Sequence, residues 1–183
     1  AERQPVVAIT LAASDIGNGG EHEHFLRQLA LALELLVKKG WSICFLAFQE
    51  LDQADVRVSD TALFKRVQSC VPNMDGTVVR MSASSAEITR LFSTIDVVAG
   101  MRFHGHVLAA MQGIPFVGFG RDEKLKDLCS HLSMPFLDMG ELDASRLAET
   151  IEGVRNLQPD AERVRELSRR SADNFSRIGA SLS

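Results

Sequence analysis

The stretch from Asp96 to Gly118 reads DVVAGMRFHGHVLAAMQGIPFVG. It contains an apolar run from Asp96 to Ala99, a helix-forming segment from about Phe103 to Gln112, and a second apolar run from Pro115 to Gly118. Strand, helix and strand in succession form a βαβ unit, whose two strands pair in parallel. The stretch therefore predicts an α/β fold built on a parallel sheet.

The same alternation continues on both sides of this unit. Val-, Ile- and Phe-rich runs separate segments with helical periodicity, which predicts about six strands in a doubly wound, Rossmann-like sheet. A length of 183 residues fits one domain, so residues 1–183 are expected to form a single unit. The other strands are predicted at Val6–Leu11, Ser42–Phe48, Thr77–Met81 and Pro135–Leu137, and the other helices at about Glu21–Lys39, Thr61–Val71, Ser85–Thr94, Asp122–Leu132, the segment of Leu147 to Val154, and 160–178.

Charge and hydropathy exclude several classes of protein. The chain has 20 Lys and Arg against 24 Asp and Glu, a net charge of −4, which argues against a nucleic-acid-binding or membrane-adsorbed domain. Its longest apolar run, Leu29 to Val37, contains Glu34 and is too short to span a bilayer. No transmembrane segment is expected.

The cysteines indicate a reducing compartment. Cys44, Cys70 and Cys129 are odd in number and lack a C-x-x-C spacing, so neither a zinc site nor a dithiol redox centre is predicted. Cys44 and Cys129 lie in apolar patterns and are expected to be buried free thiols. A cytoplasmic location follows as an expectation.

The sheet topology indicates where a ligand would bind. In the common strand order 3-2-1-4-5-6 the order reverses between the first and fourth strands, and ligands bind beyond the carboxyl ends of the strands at that point. Three loops are expected to converge there: Ala12–Gly20, Gly100–His104 and Phe119–Lys124.

The middle loop carries the strongest candidates. Gly100 and Arg102 stand at a helix start, where free N–H groups attract anions, and an arginine can bind phosphate or carboxylate with two hydrogen bonds. A cation is locally unfavourable at a helix start, so Arg102 indicates an anionic partner; the alternative is a surface arginine paired with an acid. His104 suits proton transfer near neutral pH, and its alternative is a half-buried, hydrogen-bonded histidine.

The flanking loops add weaker candidates. Lys124 and Arg121 could reach the same anion, and Asn18 and Gly19 lie in a glycine-rich loop suited to close approach of a ligand, although its spacing is not G-x-G-x-x-G. A structural role is favoured for His106, two residues beyond His104. His22 and His24 are also two residues apart and do not converge on a helix, so no metal site is predicted.

The Asp-led strand, the Arg102-x-His104 pair, the Gly113-x-Pro115 helix end, the strand after it and Lys124 together resemble the polysaccharide pyruvyltransferase family. The resemblance covers about residues 96 to 130. The family pattern has a tyrosine where this chain has Arg121, and the chain contains no tyrosine.

The resemblance implies a fold, a reaction and partners. Family members resemble two-domain GT-B glycosyltransferases and transfer a pyruvyl group from phosphoenolpyruvate to a sugar, forming a ketal. This chain is similar to the second, donor-binding domain, so an N-terminal acceptor domain would be missing and the isolated chain could lack activity. The acceptor would be a sugar or a lipid-linked oligosaccharide, which would bring a cytoplasmic enzyme to the inner face of the membrane.

The same resemblance assigns roles to residues. Arg102 and Lys124 would hold the phosphate and carboxylate of the donor, with the helix start near Gly100 helping, and His104 would act as general acid or base. No cofactor is implied apart from phosphoenolpyruvate as the donor substrate. Residues 160–180 would form an arginine-bearing C-terminal helix that packs on the missing partner domain.

Two other functions fit the same switch point. A sugar-nucleotide-dependent glycosyltransferase or epimerase domain would need a base-and-ribose pocket, for which Glu50 is a weak candidate. A non-catalytic anion-binding module would use the same cations without turnover.

Overall fold

The sheet of the computed structural model has six parallel strands in the order β3-β2-β1-β4-β5-β6. The structure describes residues 3–12, 20–48, 59–71, 76–80 and 85–169. The predicted strand order is confirmed, including the reversal between β1 and β4. The strands are β1 (Val6–Thr10), β2 (Ser42–Ala47), β3 (Gly76–Arg80), β4 (Val97–Gly100), β5 (Phe116–Gly120) and β6 (Phe136–Asp138).

Helices cover both faces of this sheet, as a doubly wound fold requires. Along β1 the side chains alternate: Val7 and Ile9 join a core with α1, α2 and α6, while Ala8 joins a second core with α4 and α5. The helices are α1 (Gly20–Lys38), α2 (Asp60–Ser69), α3 (Ser85–Phe92), α4 (Phe103–Met111), α5 (Glu123–His131) and α6 (Ala144–Val154), with a 3₁₀ turn at Met139–Glu141.

The first and fourth strands are in close contact at their carboxyl ends. Thr10 is paired with Gly100 in the parallel register. A Cβ built on Gly100, whose φ is +157°, would lie 2.1 Å from both the carbonyl oxygen and Oγ1 of Thr10. Only glycine leaves room for this contact, so Gly100 fixes the distance between the two strands at the switch point.

The fifth strand extends further than its sequence pattern predicts. The prediction ends at Gly118, whereas the observed strand continues to Gly120, which pairs with Asp138 of β6. Glycine has a low strand propensity, but pairing with a neighbour overrides it here. A Cβ on Gly118 would lie 2.6 Å from Sγ of Cys129, so close helix packing accounts for the glycine.

The described part of the last helix, residues 161–169, packs on this domain. Val164 and Leu167 contact the core beside α4 and α5, and Nη1 of Arg163 donates to the carbonyl oxygen of His131 at 2.6 Å. Asp160 caps this helix, and the backbone N–H of Arg163 holds the pKa of its carboxyl group below the usual value. Residues 170–183 lie outside the described part, so contact between residues 160–180 and a partner domain stays a prediction.

Two of the three cysteines are buried, as expected from their apolar surroundings. Burial raises the pKa of Cys44 to about 11 and that of Cys129 to about 12, whereas Cys70 is exposed. Within the described ranges, no helix has both the length and the apolar character needed to cross a membrane.

Candidate functional site

The carboxyl ends of β1, β4 and β5 meet at one edge of the sheet, as the sequence predicts. An ion pair joins the loop after β5 to the start of α1: Nη2 of Arg121 lies 2.8 Å from Oε2 of Glu21. The loop after β4 lies between them because β4 is the strand between β1 and β5. The structure thus brings the start of α1 close to the loop after β5, whereas residues 13–19 of the first loop lie outside the described residues.

Arg102 occupies the N-cap position of α4 in an extended backbone conformation, with φ of −80° and ψ of 111°. Its backbone N–H donates to Oγ1 of Thr10 at 3.3 Å, which ties the helix start to β1. Its side chain makes no capping hydrogen bond. The guanidinium group is therefore directed to other partners.

Two fixed acceptors hold that guanidinium group. Nε donates to the carbonyl oxygen of Leu11 at 3.0 Å, and Nη2 donates to Oδ1 of Asp60 at 2.6 Å. The side chain retains 18% exposure. Arg102 is thus paired with an acid, but neither it nor Asp60 is exposed, so the alternative of a surface arginine is not what the structure shows.

Asp60 is a residue of this site that sequence reasoning missed. It is the first residue of α2, its side chain is fully buried, and its Oδ2 accepts the backbone N–H of Phe48 at 3.0 Å. Asp is almost never fully buried unless it is paired. An acid in the first turn of a helix is usually an exposed residue that complements the helix dipole. The signal that could have found Asp60 is its spacing of three, four and seven residues from the apolar Leu63, Phe64 and Val67.

His104 is exposed in the first turn of α4. Its ring meets the ring of Phe103 edge-on, with 6.1 Å between ring centroids. The alternative of a half-buried histidine is wrong for this position. An exposed imidazole at a helix start beyond a strand end is available to a ligand.

His106 has the structural role that its position two residues after His104 suggests. It is fully buried, with Nδ1 2.9 Å from the carbonyl oxygen of Arg102 and Nε2 3.1 Å from that of Val117. Burial lowers its pKa, although the two carbonyl groups oppose that shift. His106 therefore links the N-cap of α4 to β5.

Gly105 lets α4 pack closely on the end of β1. A Cβ at this position would lie 2.9 Å from Cγ2 of Thr10 and 3.3 Å from the ring of Phe48. The residues around Arg102 are therefore packed tightly beneath the helix start.

The remaining candidates differ in how the structure places them. Lys124 is exposed in the first turn of α5, where its backbone N–H donates to Oδ1 of the N-cap Asp122 at 2.8 Å. Arg121 is exposed and paired with Glu21. Asn18 and Gly19 lie outside the described residues, as does Glu50 of the alternative ribose pocket.

In the part of the chain that the structure covers, no three His, Cys, Asp or Glu side chains come together in a way that could hold a metal ion. Nε2 of His22 lies 2.8 Å from Nη1 of Arg66, and His24 is exposed. The cations and N–H groups at the switch point are suited to an anionic ligand.

Solved structures identify the fold. The chain matches sucrose-phosphate synthase from Thermosynechococcus elongatus with a TM-score of 0.63 and 13% identity, over 97% of this chain and 46% of that protein. It matches a UDP-forming α,α-trehalose-phosphate synthase from Burkholderia xenovorans with a TM-score of 0.58 and 11% identity, over 95% of this chain and 43% of that protein. It also matches UDP-GlcNAc 2-epimerase from Methanocaldococcus jannaschii, with a TM-score of 0.57 and 12% identity, over 92% of this chain and 45% of that protein.

These matches show a domain with the fold found in GT-B-like glycosyltransferases. The chain spans less than half the length of each of these three proteins. No curated protein matches the chain significantly in sequence. The family model for polysaccharide pyruvyl transferases matches residues 8–123, and the chain belongs to that family.

Proposed function

We propose that this chain is the donor-binding domain of an enzyme that transfers a pyruvyl group from phosphoenolpyruvate to a sugar of a polysaccharide or its precursor. The observation that carries the proposal is the start of α4, where a held arginine and an exposed histidine stand at the switch point of a pyruvyl transferase family domain. An N-terminal acceptor domain would complete the cleft. The acceptor would be a sugar or lipid-linked oligosaccharide, bound by a cytoplasmic enzyme.

The donor chemistry matches the residues at this edge. Phosphoenolpyruvate carries a phosphate and a carboxylate on a small frame, so it needs several cations and N–H donors close together. Arg102 would bind one anionic group beside the free N–H groups of α4. Lys124, with Arg121 as a weaker contributor, would bind the other from the start of α5.

The reaction requires protonation of one carbon, and an addition followed by a substitution at the carbon next to it. The methylene carbon of the donor takes up a proton, and a sugar hydroxyl oxygen bonds to the adjacent carbon and loses its proton. The oxygen of a second sugar hydroxyl then bonds to that carbon and loses its proton as the bond to the phosphate breaks, which closes the ketal ring and releases inorganic phosphate. His104 would transfer one of these protons, and the cations would stabilise the charge on the departing phosphate.

Titration calorimetry tests the donor assignment. Wild-type protein is titrated with phosphoenolpyruvate, with a UDP-sugar and with inorganic phosphate. Selective binding of phosphoenolpyruvate is expected, and Arg102→Ala should weaken it by about ten- to a hundred-fold, because hydrogen bonds to charged groups contribute about 1.5–3 kcal/mol. Lys38→Ala is the control. Lys38 is exposed at the far end of α1, and its replacement removes one positive charge, as Arg102→Ala does.

His104→Ala separates binding from chemistry. The variant should retain affinity for phosphoenolpyruvate but lose release of phosphate when the complete enzyme is given its acceptor. Preference for the UDP-sugar would instead support a glycosyltransferase or epimerase domain. Binding of phosphoenolpyruvate without turnover in the complete enzyme would support an anion-binding module.

A further inference from the structure

Asp60 is a fully buried carboxylate that no role in the proposed reaction yet accounts for. Burying a carboxylate costs several kcal/mol unless charge and hydrogen bonds compensate it. Both oxygens of Asp60 are bonded, one to the backbone of Phe48 and the other to Arg102. The compensation for its burial thus comes partly from the arginine that the proposed function assigns to the donor.

The carboxylate of Asp60 is itself anchored to the backbone. Its Oδ2 accepts the N–H of Phe48, the residue that follows β2, at 3.0 Å. Its backbone lies in the first turn of α2, next to the N-cap Ser59, whose hydroxyl oxygen accepts the N–H of Ala62. Asp60 therefore presents Oδ1 to the guanidinium group at a position set by β2 and α2.

A second acceptor completes the support. The carbonyl oxygen of Leu11, just beyond β1, accepts from Nε of Arg102 at 3.0 Å. Hydrogen bonds from two different nitrogens to two fixed acceptors define the plane of a guanidinium group, which is rigid and planar. A lysine could not satisfy both acceptors in this way.

We propose that Asp60 is a positioning residue, which orients the guanidinium group of Arg102 toward the anionic donor. The inference rests on the proposed function for the identity of that donor. Groups that orient the residues in contact with a ligand affect its affinity although they do not touch it.

Positioning and simple charge neutralisation have opposite consequences. If Asp60 only neutralises Arg102, its removal leaves a more positive site, and an anion should bind more tightly. If Asp60 positions Arg102, its removal releases the side chain, and the anion should bind less tightly because the arginine must be ordered on binding. The sign of the change therefore distinguishes the two roles.

The first test measures phosphoenolpyruvate affinity of Asp60→Asn by titration calorimetry. A loss of about ten-fold is expected, the lower end of the range for outer residues that orient ligand-binding groups. Asp143→Asn is the control, since it makes the same substitution at the exposed N-cap of α6, where the carboxylate bonds backbone N–H groups of Ser145 and Arg146. An unchanged or tighter affinity in Asp60→Asn would overturn the inference.

Asp60→Glu is the second variant and covers the case in which Asp60→Asn does not fold. It keeps the charge and moves the carboxylate by one methylene group, so a positioning role predicts weaker binding here as well. Near-ultraviolet circular dichroism shows whether each variant retains its tertiary packing. Wild-type affinity in a folded Asp60→Glu variant contradicts the inference.

A double-mutant cycle with Arg102→Lys tests whether Asp60 acts through the arginine. Once the planar group is gone, Asp60→Asn should cause no further loss of affinity. Fully additive losses would mean that the two residues act separately, and the inference would then be wrong.

A readout without donor separates this inference from the proposed function. Nitrogen-edited NMR follows exchange of the Nε–H proton of Arg102 with water, which should be slow in the wild type and faster in Asp60→Asn. Failure of the wild type to bind phosphoenolpyruvate would count against the proposed donor. Unchanged exchange in Asp60→Asn would count against the positioning role, whatever the donor is.

Discussion

Oδ1 of Asp60 lies 2.6 Å from Nη2 of Arg102, although the two residues are 42 positions apart in the sequence. The side chain of Asp60 is fully buried and that of Arg102 is 18% exposed, so the pair joins the interior to the edge where the loops converge. We therefore expect this contact to stabilise the fold as well as the candidate site.

Replacing Arg102 should therefore affect stability as well as binding. Arg102→Ala leaves the carboxylate of Asp60 buried without its cation, and we expect the free energy of unfolding to fall by about 3–5 kcal/mol. Urea denaturation measures the change. Arg146→Ala is the control, because its ion pair with Glu141 is exposed and should contribute about 1 kcal/mol or less.

Removing both members of the pair should restore part of that loss. Asp60→Asn in the Arg102→Ala background no longer buries a charge, so the double variant should be more stable than Arg102→Ala alone. Equal stability of the two proteins would show that the carboxylate is not the source of the destabilisation.

Gly100→Ala should destabilise the junction of β1 and β4. The added Cβ would lie 2.1 Å from two oxygen atoms of Thr10, and backbone atoms cannot move aside as a flexible side chain can. Gly113→Ala is the matched comparison: its φ is +70° but nothing lies within 4 Å of the added Cβ. We expect thermal unfolding to show about 1–2 kcal/mol of strain for Gly113→Ala and a clearly larger loss for Gly100→Ala. Equal losses would exclude the contact with Thr10 as the cause.

His106 should make stability depend on pH. Burial lowers its pKa below the ordinary 6.5, so the unfolded chain binds a proton at pH values where the folded protein does not. The contribution of the neutral His106 to the free energy of unfolding is complete above a pH of about 6.5. It is lost as the pH falls from there through the lower pKa of the folded state. Denaturation midpoints of His106→Gln should fall less between neutral and mildly acidic pH than those of the wild type.

The exposed His24 provides the control for that experiment, since His24→Gln should leave the pH profile unchanged. The role of His106 would be contradicted if both variants followed the wild-type profile.

The three thiols should differ in reactivity. A disulfide reagent should modify only Cys70 in the native protein, because burial raises the pKa of Cys44 to about 11 and that of Cys129 to about 12. Denaturant should expose the other two. Cys70→Ser should then show almost no reaction until it unfolds, and rapid native reaction of that variant would mean that a buried thiol is accessible.

The fold followed from local patterns that physical rules convert into topology. Alternating apolar runs and helical periodicity predicted the parallel sheet, and the reversal between β1 and β4 located the loops of Gly100 and Arg102. The structural role of His106 also followed from its spacing. The predictions were least accurate at the ends of helices and strands. For example, β5 continues to Gly120 because that residue pairs with β6.

The partner of Arg102 could not be found in the same way. The sequence indicated an anion near this arginine, but not that a carboxylate of the protein would already contact it. Asp60 precedes Leu63, Phe64 and Val67 by three, four and seven residues, a spacing that places it on the buried face of α2. That spacing does not identify the partners of Asp60, because its contacts with Phe48 and Arg102 depend on how α2 packs against the end of β2.

The central position of β1 affects how the protein is made. The start of β1 pairs with the start of β4, and the backbone N–H of Val6 bonds the side chain of Asp96, 90 residues later. At about 5–20 residues per second, a ribosome takes roughly 5 to 20 seconds to deliver that partner. During this interval one edge of an apolar strand has no native neighbour, so the nascent chain depends on protection from aggregation until β4 emerges.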